Sequence, residues 1–265
     1  PDADGACTID VAADTYKDVA GNNNLVATQF NWTYDGTAPS AFTVGNVITV
    51  GGNVVANYWN SSNTSFTVNV PIDNDSTLVG GTVQLRVSQD NGNNYTNLDN
   101  AYTIQNSDLD DSSFTMSVSA NTLETLSSGS FANENDVLTF NAVITDNVGN
   151  ATTGTASGTT LTVIQTIPTI TITSAEVSDG DYSKDDTLSL TFTTSIATTD
   201  FGSDDITVSN GAISNFAGTG TSYTATFTPT SDGAASIDVA SSRFTDAYGN
   251  NNSAATQFNW TYDGT

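Results

Sequence analysis

Apolar and polar residues alternate in short stretches along the whole chain, and Asn-, Asp- and Gly-rich tracts separate these stretches. A period of two marks strands buried on one face. Residues 7–11 alternate in this way, with Cys7, Ile9 and Val11 on one face. Residues 28–34 put Phe30, Trp32 and Tyr34 on one face. The same pattern predicts strands at 42–50, 65–72, 82–88, 101–105, 113–119, 137–145 and 159–165. Seven more follow at 169–173, 187–194, 205–208, 212–216, 222–228, 235–239 and 256–262. Only residues 121–126 have any helical character, and they predict a short crossover turn.

Residues 1–37 align without a gap on residues 229–265, with 24 identities in 37 positions. The eleven residues from Ala27 to Thr37 return unchanged from Ala255 to Thr265. So long a gapless match means duplication, and a chain built on a repeat of this kind belongs to a stalk or filament more readily than to a catalytic site. Prolines at linkers 36–39 and 164–168 divide the chain into residues 1–37, the end of one domain, residues 38–166, a long domain, and residues 167–265, a short one. The fold class expected is all-β, a tandem of immunoglobulin-like β-sandwiches with about seven strands each. Two strands cannot bury three aromatics alone. Residues 1–37 are therefore expected to be completed by upstream residues, or alternatively by a strand from another molecule.

Charge narrows the function. Of the charged residues 29 are acidic and 4 basic, a formal net charge of −25. Such a surface repels nucleic acid and anionic lipid. Only 12% of residues are charged and 37% are hydrophobic, so Thr, Ser, Asn and Gly supply the polarity, as sheet surfaces and turns require. The chain has no histidine, which removes the commonest general base and the usual zinc ligand. No enzymatic activity is expected. Cys7, the only cysteine, reads as a small core residue. No apolar run is long enough to insert in a membrane.

The motif Asp-x-x-Gly-Asn occurs three times, with Asp18, Asp146 and Asp246 at its head. A turn alone accounts for it: Asp caps its own backbone and Gly takes positive φ. The alternative adds Ca2+, which prefers clustered carboxylate, amide and carbonyl oxygens. Sandwich topology places Asp35, at the exit of the first unit, near Asp73, Asp75 and Asp146. It likewise places Asp263 near Asp179 and Asp181 of the loop 176–186, while Asp246 lies at the opposite end of that unit. These eight residues are the candidate metal ligands. Ca2+ is expected to stiffen the short-to-long junction, and the long-to-short junction, whose exit carries no acid, is expected to be weaker, more flexible or apolar. Tyr58, Trp59 and Asn60, in a polar loop, suggest a lectin-like site, against the plainer reading of an aromatic plug.

The stretches "TITITSAEVSDGDYSKDDTLSLTFTT", "DITVSNGAISNFAGTGTSYTATFTP" and "TDAYGNNNSAATQFNWTYDGT" resemble the bacterial Ig-like repeats of very large surface adhesins. The stretch "ITDNVGNATTGTASGTTLTV" is similar to a related repeat. The resemblance implies extender domains that hold a terminal binding domain away from the bacterial cell, several kinds of them calcium-bound. The expected partners are neighbouring repeats of the same chain, with other copies in a filament as an alternative. The expected location is extracellular, at the cell surface. Two further classes stand beside the adhesin stalk: a self-assembling filament or surface layer, and a carbohydrate-binding module.

Overall fold

The computed structural model describes residues 1–109, 113–126 and 132–265. The first unit holds two antiparallel strands, β1 (Gly5–Ile9) and β2 (Phe30–Tyr34), with Cys7 opposite Trp32. Their hairpin-like loop folds around Asn24. Its Oδ1 accepts from the amides of Thr15 and Tyr16, and its Nδ2 donates to the carbonyls of Ala12 and Leu25. Asn252 repeats this arrangement on Arg243, Phe244, Ala240 and Ser253. The duplicated sequence therefore folds the same way twice, down to the side chain that organises the loop.

Among the described residues ten strands build the long unit: β3 (Val47–Val50), β4 (Tyr58–Asn60), β5 (Ser65–Pro71), β6 (Thr82–Ser88), β7 (Thr96–Asn97), β8 (Tyr102–Thr103), β9 (Ser113–Ser119), β10 (Val137–Thr145), β11 (Ala151–Thr153) and β12 (Leu161–Ile164). One sheet has the order β3-β5-β9. The other runs β4-β12-β10-β6-β7, with β8 on β6 and β11 on β10. Alternation in β5 buries Phe66, Val68 and Val70 against Leu85, Phe140 and Leu161 of the facing sheet. The rings of Phe66 and Phe140 lie 5.1 Å apart. A short helix, α1 (Ala120–Glu124), is capped by the Ser119 hydroxyl and buries Leu123.

Two sheets also form the short unit. β13 (Ile170–Ser174), β15 (Leu188–Thr198) and β17 (Gly211–Pro229) make one. β14 (Tyr182–Ser183), β16 (Thr207–Ser209), β18 (Gly233–Asp238) and β19 (Phe258–Tyr262) make the other, in the order β14-β19-β18-β16. The two expected strands at 212–216 and 222–228 are the halves of β17. That strand folds back on itself at Gly220, which brings Asn215 to Thr226 and Thr224 to Ala217. Phe192, Phe227, Ile237 and Trp260 fill the core, with Phe227 edge-on to Trp260 at 4.8 Å. This is all-β architecture in tandem immunoglobulin-like sandwiches.

Among the additional strands, β4 matters most. Residues 58–60 read as loop because three residues are too few to show alternation, yet they pair in parallel with β12. Trp59 consequently points inward and is fully buried, donating through Nε1 to Glu124. The surface aromatic on which the lectin-like reading rests is absent. Cys7 is half-buried opposite Trp32, in a unit that contributes to neither of these two cores.

Candidate functional site: the joints between units

Each Asp-x-x-Gly-Asn motif makes the same turn. In the long unit Asp146 Oδ1 accepts from the amides of Val148, Gly149 and Asn150 at 3.0, 2.7 and 2.8 Å. Its Oδ2 accepts from Asn150 Nδ2 at 2.8 Å. The Asp246 carboxylate takes the amides of Tyr248 and Asn250 and the Asn250 side chain. Asp18 repeats the pattern with Ala20 and Asn22. Gly21, Gly149 and Gly249 all have positive φ, where a side chain would be strained. Burial pushes the Asp146 carboxyl up, and the donors from Asn150, Val148 and Gly149 outweigh it and hold it below its ordinary value. In the exposed first copy the hydrogen bonds from Asn22 lead in holding Asp18 below its ordinary value.

The turn leaves one hydrogen on the Asn amide, and both joints use it. Asn150 Nδ2 donates to the carbonyl of Asp35 at 3.1 Å. Asn250 Nδ2 donates to the carbonyl of Ile164 at 3.0 Å. Each carbonyl lies four residues before the proline that opens the next unit, Pro39 or Pro168. The proline carbonyl is held in turn, by the Thr152 hydroxyl in one joint and by the Ser253 amide at 2.9 Å in the other. One Asx turn thus closes its own loop and grips the incoming linker.

Other residues hold the linkers from the opposite side. Asp4 accepts from the amide of Gly36 at 2.7 Å and from the Thr37 hydroxyl. Asp232 does the same for Gly264 at 2.7 Å and for the Thr265 hydroxyl. At the long-to-short joint Glu134 Oε2 takes the amides of Gln165 and Thr166 at 2.7 and 3.1 Å, and Glu124 takes the Gln165 side chain at 2.8 Å. The two sandwiches also touch directly. Asn60 Nδ2 donates to Tyr248 O at 2.7 Å, Asn250 Oδ1 accepts from Ser61 N at 2.8 Å, and Asn53 Nδ2 donates to Gly249 O and Asn251 Oδ1. The rings of Tyr58 and Tyr248 lie 4.8 Å apart. The expectation of an apolar long-to-short joint is therefore corrected: this joint is polar, with hydrogen bonds directly between the two sandwiches. Its acids come from α1 and from the turn that precedes β10, remote in sequence from the exit strand.

The eight candidate metal ligands mostly serve separate roles, and Asp179, held at the Asn259 amide, is not at the level of Asp263. Asp35 grips Asn150 through its carbonyl, and its carboxylate takes the Thr37 amide. Asp73 lines a small depression with Pro39 and Phe42. Asp75 caps a short 3-10 turn by accepting from Thr77. Asp146 and Asp246 are buried in their turns. Asp179 takes the Asn259 amide at 2.7 Å, the Asp181 carbonyl takes the Thr261 amide, and Asp263 lies by Asp186 and Lys184. Among the described residues no three acidic side chains form a group that could hold a metal ion. Sequence reasoning missed Asp4, Glu124, Glu134 and Asn53, whose only signal is a place near a linker after folding.

Residues 165–262 match the family model described as a bacterial Ig-like domain. None of the curated proteins compared with the chain matches it. The fibronectin(III)-like modules of Clostridium thermocellum CbhA align over 82% of this chain and 94% of theirs, at 13% identity and a TM-score of 0.31. The FN1–FN3 domains of chicken CNTN1 align over 92% of this chain and 72% of theirs, at 8% identity and a TM-score of 0.34. Neither superposition bears on function. Among the described residues no helix is long and apolar enough to cross a membrane.

Proposed function

We propose that this segment is a spacer in the extracellular part of a bacterial surface adhesin, and that its work is mechanical. The observation that carries the reading is the recurrence of one clamp at both joints, with the gripped carbonyl four residues before the next unit's proline each time. A hydrogen-bonded linker gives each sandwich a preferred direction relative to the next, as a load-bearing stalk needs and as independent binding modules do not. The match to a bacterial Ig-like domain supports the class. Ca2+ at the acidic ends is not part of this proposal, and the clamps do not require it.

Small-angle scattering of the chain and of the Asn150→Ala/Asn250→Ala double variant tests the mechanical part. The variant is expected to scatter as a more flexible chain with both sandwiches still folded, and an unchanged profile would remove the clamps from the reading. Protease treatment of intact bacteria tests the location. Fragments of this segment are expected in the supernatant, and complete retention within unbroken cells would overturn an extracellular role.

A further inference from the structure

β2 ends the first unit's two-stranded sheet, and among the described residues the edge facing away from β1 has no neighbouring strand. Its counterpart, β19, is paired on both edges. β14 lies parallel to it, with Tyr182 opposite Thr261. The Thr261 and Asp263 amides donate to the carbonyls of Asp181 and Ser183, both at 2.9 Å, and the Asn259 carbonyl accepts from Gly180 at 2.7 Å. The equivalent groups of β2 belong to Asn31, Thr33 and Asp35.

The faces differ in the same sense. Phe30 is 63% exposed and Ile9 56%, whereas Phe258 and Ile237 are 5% and 0% exposed. Tyr16 is exposed where Phe244 is buried. Yet the framework is already in place: the Phe30 and Trp32 centroids lie 5.7 Å apart, as do those of Phe258 and Trp260. A preformed apolar face beside an open strand edge is a docking surface.

A second, independent sign comes from the turn. Asn150 and Asn250 each give their second amide hydrogen to a linker carbonyl. The Asn22 amide donates to Asp18, and among the described residues it meets no linker.

We propose that residues 1–37 are the acceptor half of a sandwich, and that its occupant is a segment built like residues 167–228, carried in the same polypeptide and preceded by a linker whose carbonyl Asn22 grips. The occupant supplies a parallel strand to β2 and a β13-β15-β17 sheet over Phe30 and Trp32. A second molecule is the poorer donor, because its residues 167–228 are already sealed against its own Phe258 and Trp260. The inference rests on the spacer reading, and it names the partner that one unit of the spacer requires.

The test places a copy of residues 164–228 directly before Pro1 of the full chain. Trp59 and Trp260 are already buried and Trp32 is half-buried, so a shift of tryptophan emission to shorter wavelength reads Trp32. The expected result is that shift, an added melting transition, and slowing of amide exchange at Asn31 and Thr33 by about 100-fold or more. Asn22→Ala in the grafted chain is expected to lower the added transition alone. The graft already folds with residues 229–265 in this molecule, so an unshifted Trp32 with freely exchanging β2 amides would overturn the proposal. A stable dimer of the ungrafted chain with β2 protected would overturn it too, in favour of pairing between copies. The scattering of the clamp variants reads a different property, so either proposal can fail without the other.

Discussion

Asn250 lies wholly buried between two sandwiches and donates across the joint to the carbonyl of Ile164, 3.0 Å away. Its other amide hydrogen goes to Asp246 and its oxygen accepts from Ser61. Asn150 makes the first two of these contacts but is only half-buried. Truncation of a buried, fully bonded amide leaves its partners unsatisfied at a cost of about 1–3 kcal/mol. Asn250→Ala is therefore expected to lower the melting temperature of the short unit by roughly 10 °C, on the scale at which 1 kcal/mol moves a domain of this size by about 4–8 °C. Asn150→Ala should cost less. Calorimetry of the two variants checks the order, and equal losses would contradict it.

How far the sequence disclosed this depends on range. The Asx turn was legible because Asp, Gly and Asn lie within five residues and each has a local reason to be there. Phe30, Trp32 and Tyr34 were legible as one face because β2 alternates. The grip on Asp35 and Ile164 was not, since it joins residues 115 and 86 positions apart. Trp59 failed for a related reason. Its strand is three residues long and is defined by β12, about a hundred residues downstream. Glu134 was invisible as a linker ligand because nothing local distinguishes it from other surface carboxylates.

The Asp146 clamp carries a pH dependence, and so does Asp200 in the short unit. Hydrogen bonds hold the Asp146 carboxyl below its ordinary value of 3.8 despite burial. Burial also pushes the Asp200 carboxyl up, and bonds from Thr198 and Thr245 outweigh it to the same effect. A carboxyl whose folded pKa is depressed contributes stability above its unfolded pKa and loses it as pH falls through the folded value. Both sandwiches are expected to keep full stability at neutral pH and to lose it progressively below 3.8. Asp146→Asn should flatten the acid limb of the long unit alone. A stability that rises on acidification would reverse the assignment.

Ca2+ can be separated from the clamps by chelation. A cation present at about 100 times its dissociation constant adds roughly 2.7 kcal/mol to the unit that binds it. Both oxygens of Asp146 and of Asp246 are already occupied by amide donors. Exchange of EDTA for millimolar calcium is expected to move neither melting transition by more than about 2 °C. A rise of roughly 10 °C in one of them would place a cation among the acids of that unit.

Trp59→Ala discriminates between a plug and a sugar platform. The indole is fully buried, edge-on to Phe66 at 6.0 Å, and bonded to Glu124. Removing it should cost about 3–5 kcal/mol through cavity formation and disturb α1, with no change in binding on a glycan array. Loss of glycan binding in a variant that melts like the parent would restore the lectin-like reading.

Gly249 and Gly149 occupy the same turn position in two units and provide an internal comparison. Both have positive φ, +86° and +106°, so alanine at either pays the left-handed strain of roughly 1–2 kcal/mol. Their surroundings differ. A Cβ at Gly149 meets nothing within 4 Å, whereas one at Gly249 would lie 2.7 Å from Asn53 O and 2.7 Å from Asn60 Nδ2, both across the joint. Relief requires the long and short sandwiches to move apart, which also breaks the bonds of Asn53 and Asn60 to residues 248–251. Gly149→Ala is expected to lower the stability of its own unit and leave the joint intact. Gly249→Ala should destabilise more, by about 1–3 kcal/mol beyond the strain, as overpacking does, and should loosen the angle between the units. Chemical denaturation measures the first effect, and residual dipolar couplings of the two sandwiches measure the second. Equal destabilisation by both substitutions, with alignment of the two units unchanged, would mean that the contact between Gly249 and Asn60 does not hold the joint.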